Sequence, residues 1–162
     1  MKFLEPEQFL PKLNQIYQDL SIQIKNILPT ADVEHIGSSA IQGALSKGDL
    51  DILVRVNRSE FEAAITSIMN LGFKIKTDTL KDENLCMLIT SQLSEDVAIQ
   101  LITRNSQYED FVKFRDILNQ NQDLIIKYNQ LKLESVGDSP DTYRSKKSKF
   151  IQEVLSRNSK FE

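Results

Sequence analysis

The stretch that most constrains this chain is residues 33–56. Val33-Glu34-His35-Ile36 is short and alternating and runs into Gly37-Ser38-Ser39, which reads as a strand ending in a tight turn. After a spacer with Lys47 and Gly48, the chain resumes as Asp49-Leu50-Asp51-Ile52-Leu53-Val54-Arg55-Val56, its most strand-like run. In an extended chain alternate residues share a face. Asp49 and Asp51 therefore point the same way, about 7 Å apart, with Leu50 and Ile52 on the other side. Two carboxylates so placed can share a divalent cation, and magnesium prefers oxygen ligands while leaving positions for water and phosphate. A glycine turn lets the backbone approach a phosphate, with serine hydroxyls and turn amides as donors. Asp49 and Asp51 are thus candidate metal ligands, and Gly37, Ser38 and Ser39 a candidate phosphate cradle. Taken singly, an acidic strand face and a Gly-Ser turn are common surface features.

The remainder of the chain builds around this segment. Residues 5–28 space Phe9, Leu13, Ile16, Leu20, Ile24 and Ile27 at three- and four-residue intervals, an amphipathic helix ended by Pro29. Ser59 with Glu62 has capping-box spacing for a second helix running to Leu71-Gly72. Three candidate strands follow, at 73–76, 86–90 and 97–102, joined by short polar links as in an antiparallel meander. From Tyr108 the pattern is helical: Phe111, Phe114 and Leu118, then Leu124, Tyr128 and Leu131. Ser139-Pro140 marks the start of a last helix with Tyr143, Lys147, Phe150, Ile151, Val154 and Leu155 on one stripe. The expectation is one α+β domain over residues 1–162, a mixed sheet flanked by helices over about 30–104 and C-terminal helices over about 107–158.

Composition excludes more than it selects. With 20 basic and 23 acidic side chains the chain lacks the broad basic footprint of a nucleic-acid binder. The single Cys86 forms no internal disulfide, and the single His35 rules out a His-rich metal cage. Glu5 and Glu7 interrupt any apolar run at the N-terminus, and no stretch reaches membrane-span length, so a reduced cytoplasmic setting is expected. Cys86 reads as a small buried hydrophobe. Alternation places His35 opposite Glu34 and Ile36, as a packed structural residue. Lys147 lies on an apolar stripe, where burial demands a carboxylate or phosphate partner or a stem that snorkels outward. Lys132 follows Tyr128 by one helical turn and aims at the same region. Arg115, among Phe111, Phe114 and Leu118, offers a planar fork for a phosphate or an ion pair.

The order strand, Gly-Ser turn, spacer, apolar-Asp-apolar resembles a nucleotidyltransferase signature. More widely, Val33-Glu34-His35-Ile36-Gly37-Ser38-Ser39-Ala40-Ile41 with Gly43 and Lys47 resembles the GrpB family. The likeness continues through Phe114-Arg115-Asp116, Leu118, Tyr128, Lys132, Tyr143, Lys147, Phe150 and Ile151. The resemblance implies a nucleotidyltransferase-like fold of the polymerase-beta type and a magnesium- or manganese-dependent transfer of a nucleoside monophosphate from a nucleoside triphosphate to an acceptor. Asp49 and Asp51 would hold the metal, Gly37, Ser38 and Ser39 the triphosphate, and Lys47, Arg115, Lys132 and Lys147 would neutralise phosphate charge. The chain departs from the family pattern in three respects. Asp49 stands where an apolar residue is usual, restoring a carboxylate pair. Gln42 and Gly48 replace prolines. Gln100, between Ile99 and Leu101, occupies a position that is a third catalytic carboxylate in active transferases and usually histidine in GrpB proteins. An amide accepts no proton, and Asp96, four residues earlier, could replace it only if the strand end bends inward. The alternative is therefore a non-catalytic protein of the same fold that binds a nucleotide or another small phosphorylated ligand. A module whose helical half docks another protein is a third reading.

Overall fold

A computed structural model describes residues 1–158 of the chain. The apolar spacing near the N-terminus produces helix α1 (Pro6–Ile27), with Phe9, Leu13, Leu20 and Ile24 buried. Pro6 sits at its first helical position, and the Glu5 N–H donates to Gln8 Oε1 at 2.8 Å. Ile27, in the final turn, is exposed rather than part of the stripe.

Strands β1 (Asp32–Ile36), β2 (Leu50–Val56), β3 (Lys74–Ile75), β4 (Leu85–Thr90) and β5 (Val97–Thr103) form one sheet in the order β1-β2-β5-β4-β3. β2 and β5 run parallel, and the other neighbours are antiparallel. The expected meander is present as β3-β4-β5. Helix α2 (Phe61–Met69) lies in the crossover from β2. Ser59 does not cap it, because a 3-10 turn (Arg58–Glu60) precedes the helix and uses its own backbone bond, Glu60 N–H to the Asn57 carbonyl. Gly72, at φ 101°, ends this helical segment.

The register gives the sheet two unlike faces. Leu50, Ile52, Val54, Val56, Cys86, Leu88, Ile99 and Leu101 pack with α1 and α2 in the main core, each fully buried side chain stabilising by about 1.5–3 kcal/mol. Cys86 is buried there, as its apolar setting implied. The opposite face carries Asp51, Leu53 and Arg55 from β2 beside Ala98, Gln100 and Ile102 from β5. Leu53 and Ile102 on this face are covered by Ile36, Leu85 and Tyr108.

Helices α3 (Asp110–Asn119), α4 (Gln122–Glu134) and α5 (Pro140–Asn158) form a third cluster around Phe114, Leu118, Ile125, Tyr128 and Val154, which Ile41 and Ala44 of the β1–β2 loop join. Two asparagines fasten that loop. Asn119 Oδ1 accepts from the Gln42 N–H and Asn129 Oδ1 from the Leu45 N–H, both at 2.8 Å. The helical half is thereby locked onto the loop that carries Gly37, Ser38 and Ser39. Ser139 caps α5 as expected, accepting from the Thr142 N–H at 3.1 Å. Among the described residues no helix is long and apolar enough to cross a membrane.

Candidate nucleotide site

The site lies where β1 ends and β2 begins. β2 starts at Leu50, so Asp49 stands just outside the strand rather than on it. Its Oδ1 accepts a hydrogen bond from Ser46 Oγ at 3.4 Å. Ser46 is itself fully buried and accepts from the Gly48 N–H at 3.0 Å, which fixes the loop that delivers Asp49. Asp49 and Asp51 nevertheless line one cleft of about 380 Å³, with Lys76, Met87, Ile89 and Asp96 among its walls. Gly37, at φ 77°, packs directly on Asp51. A Cβ at this glycine would fall 2.5 Å from Asp51 Oδ2. The glycine is required here by its backbone conformation and by the carboxylate seated against it.

The two serines face different ways. Ser38 Oγ accepts from Lys132 Nζ at 2.8 Å and lies 3.3 Å from the Tyr128 hydroxyl. Ser39 is buried and its Oγ lies 2.8 Å from His35 Nε2. The hydroxyls thus anchor the turn from both sides.

Lys132 is 1% exposed. Its ammonium also donates to the Leu45 carbonyl and lies 3.9 Å from the centre of the Tyr128 ring. Burial, helped by the nearby Lys147, pushes it down to about 7, while Asp49 acts in the opposite sense. Lys147 is held above its ordinary value, by Tyr128 first, with Tyr143, Asp51 and Asp49 acting with it against the effect of burial. Lys47 is exposed, 5.7 Å from the Tyr143 ring centre. Asp51 is pushed up to about 7 by burial first and then by the charge of Asp49, with Lys147, Lys47 and Lys76 pulling it down. Two carboxylates and four lysines, Lys47, Lys76, Lys132 and Lys147, therefore share one electrostatic neighbourhood.

Arg115 is engaged elsewhere. It donates to the His35 carbonyl at 2.9 Å, to Glu34 Oε1 at 3.0 Å and to Asp116 Oδ1 at 2.8 Å. Glu34 in turn accepts from Arg55, which Glu109 also holds. This chain of charges ties α3 to the end of β1, and of the two partners the sequence offered Arg115, the structure supplies the carboxylates. Gln100 is 6% exposed, opposite Leu53 and Met87. Asp96 stays at the rim of the cleft, before β5. Among the described residues no group of three or more acidic, His or Cys side chains could hold a metal.

His35 packs as its strand position implied, stacked on Tyr17 at 5.3 Å between ring centres. Burial, then the charge of Arg115, lowers it from 6.5 to about 4, so the folded protein holds it neutral. Its folded value lies below its unfolded one. The associated stability is complete above about pH 6.5 and is lost as the pH falls toward 4. Because Asp51 titrates in the opposite sense over this range, the readout is the difference between parent and His35→Gln in thermal unfolding, which should shift by on the order of 2 kcal/mol in the variant's favour from pH 7 to 4. A difference that stays constant over this range would rule out this assignment.

Two site residues lacked any signal in the sequence. Ser46 sits in a loop of no distinctive pattern and Lys76 closes the candidate strand 73–76 with nothing to mark it as a site residue; loop packing sets Ser46 against Asp49, and the register brings Lys76 to the cleft.

The sheet order, the carboxylates beside a Gly-Ser turn and the docked helices define a nucleotidyltransferase-like fold. The chain aligns with the solved structure of the conserved protein GrpB from Enterococcus faecalis at a TM-score of 0.76, with 20% identity over 97% of this chain and 99% of that one. It also aligns with the Cid1 poly(U) polymerase in its MgGTP-bound form at a TM-score of 0.53, with 15% identity over 73% of this chain and 38% of that one. The GrpB protein family model matches residues 7–157, and a UPF0157 protein of Vibrio cholerae is 45% identical over 157 residues, 97% of this chain and 83% of the relative. The chain belongs to the GrpB family.

Asp49 and Asp51 supply two donors of the kind a hard divalent cation takes, and its other positions would fall to water and phosphate oxygens. Asp49 and Asp51 are close enough for their repulsion, with burial, to move Asp51 upward, and they offer only oxygen donors. A cation between them would remove that repulsion.

Proposed function

We propose that this protein binds a nucleoside triphosphate with magnesium or manganese at Gly37–Asp51 and transfers the nucleoside monophosphate to an acceptor, in a cytoplasmic setting. The observation that carries this is the Asp49/Asp51 pair, with Asp51 packed on Gly37 and buried Lys132 behind the same turn. A Cid1 structure holding MgGTP and another holding MgATP support a magnesium nucleotide as the ligand. Asp49 and Asp51 would hold the metal, which supplies charge neutralisation at the phosphates. Lys147 and Lys47 offer positive charge beside them. Lys132 presents positive charge through Ser38, keeping the turn in place as a triphosphate settles on Gly37 and the serines. Positioning and electrostatics of this kind carry most of phosphoryl and nucleotidyl transfer.

Lys132→Met tests the lysine separately from the fold. Methionine keeps most of the length but leaves the Leu45 carbonyl and Ser38 Oγ without their donor, so stability should fall by about 1–3 kcal/mol and the variant should still fold. Nucleotide affinity, read by calorimetry, should drop roughly tenfold or more. An unchanged affinity would remove Lys132 from the site.

A second reading is favoured by one observation, the neutral Gln100 on the site face of β5. It makes the protein a nucleotide binder without turnover. Incubation with α-labelled nucleoside triphosphates, magnesium or manganese and cell extract separates the two. Label transfer supports the enzyme, and calorimetric binding with no transfer supports the binder. Absence of both rejects both.

A further inference from the structure

The cleft beside Asp51 extends away from the Gly-Ser turn, across β5 to β4 and the end of β3. Its volume, about 380 Å³, suits a small molecule. Met87, Ile89, Val97 and Ala98 make its apolar walls, and its polar groups are Asp49, Asp51, Asp96, Thr90 and Lys76. Thr90 Oγ1 already donates to the Gly72 carbonyl. Lys76 is held by its backbone, its N–H donating to the Met87 carbonyl at 2.9 Å, and among the described residues its ammonium makes no ion pair. The site-face residues of β5 and β4 are Ala98, Gln100, Ile102, Leu85, Met87 and Ile89, none of which can take a proton.

These features decide what could attack a bound nucleotide. A hydroxyl holds its proton far above neutral pH and needs a base beside it. A phosphate monoester or a carboxylate is already an oxyanion at pH 7. Such an acceptor needs no base, but it needs a counter-charge, and a cation is what the far wall provides. We infer that the cleft over β4 and β5 takes an acceptor whose attacking atom is a phosphate or carboxylate oxyanion, with Lys76 as its counter-charge. This rests on the nucleotidyl-transfer reading above. In the step, the acceptor oxygen forms a bond to the α-phosphorus and the bond from that phosphorus to the bridging oxygen of the β-phosphate breaks. Pyrophosphate leaves with the electron pair, and no proton is removed from the acceptor. The product is a nucleoside diphosphate ester or an acyl nucleotide.

Glycerol 3-phosphate, glycerate and glycerol serve as probes of phosphate, carboxylate and hydroxyl. Calorimetry with manganese present should show binding of an oxyanion probe and none of glycerol. That binding should weaken without manganese, because uncompensated Asp49 and Asp51 repel an anion. Lys76→Ala should weaken it roughly tenfold, and Lys76→Arg should retain it. With an α-labelled nucleoside triphosphate, the label should appear on the phosphate or carboxylate oxygen, and whichever probe accepts it identifies the source. Binding of neither oxyanion, full affinity in Lys76→Ala, or transfer to the glycerol hydroxyl that Asp96→Asn abolishes would overturn the inference. Calorimetry with the triphosphate alone keeps the two readings apart: an oxyanion bound at Lys76 with no nucleotide bound overturns transfer and leaves the cleft as an oxyanion site.

Discussion

Asp51→Asn should abolish nucleotidyl transfer, by a factor on the order of 10³ or more, and at the same time raise the melting temperature of the metal-free protein. Both effects have one cause. The Asp51 carboxylate is seated against Gly37 beside Asp49, where burial and repulsion push it up to about 7. Its folded value exceeds its unfolded one. The stability tied to its protonated form is therefore complete near pH 4 and is lost as the pH rises through 7. Asparagine carries no charge to bury. The variant should gain stability over the parent as pH rises from 5 to 8, by on the order of 1–3 kcal/mol at the upper end. Manganese should stabilise the parent at pH 8 and leave the variant unmoved. Melting curves at pH 5 and 8, with and without manganese, read all of this. Retained transfer in Asp51→Asn, or an equal stability difference at both pH values, would refute the assigned role.

Gly37→Ala should lower stability by about 2–4 kcal/mol and abolish manganese binding. The added methyl would stand 2.5 Å from Asp51 Oδ2 and 3.2 Å from its Cβ and Cγ, at a φ of 77° that alanine adopts only under strain. Relief requires Asp51 to move, which separates it from Asp49. Gly43→Ala is the internal control. Gly43 has a similar φ, 85°, with nothing within 4 Å of an added Cβ, so that variant should show only the conformational cost of about 1 kcal/mol and bind manganese normally. Denaturant unfolding and manganese titration of both variants distinguish a steric effect at Asp51 from backbone strain alone. Equal losses in the two would reject the packing account.

Periodicity carried much of the fold. The stripe of Phe9, Leu13, Leu20 and Ile24 and the alternating run from Leu50 to Val56 both concern burial along one element, which spacing records directly. Where neighbouring backbone competes, spacing misleads. Ser59 has the right partner three residues on, yet a 3-10 turn takes the helix start. Asp49 has the right alternation, yet the strand begins one residue later. In the site, the carboxylate pair and the glycine turn were legible because they lie close together in the chain. The fate of Arg115 was not, since Glu34 is remote in sequence and only the docking of α3 on β1 brings the pair to 3.0 Å.

The sequence by itself determined the elements, the apolar faces and the residue types of the candidate site, because each depends on local spacing and intrinsic chemistry. Tertiary structure alone decided which charges meet. It turned Arg115 to carboxylates, buried Lys132 against Ser38 and Tyr128, and brought Lys76 to the cleft that holds Asp51. The physical reason is that electrostatic energy depends on separation in space and on burial, and neither distance is written along the chain.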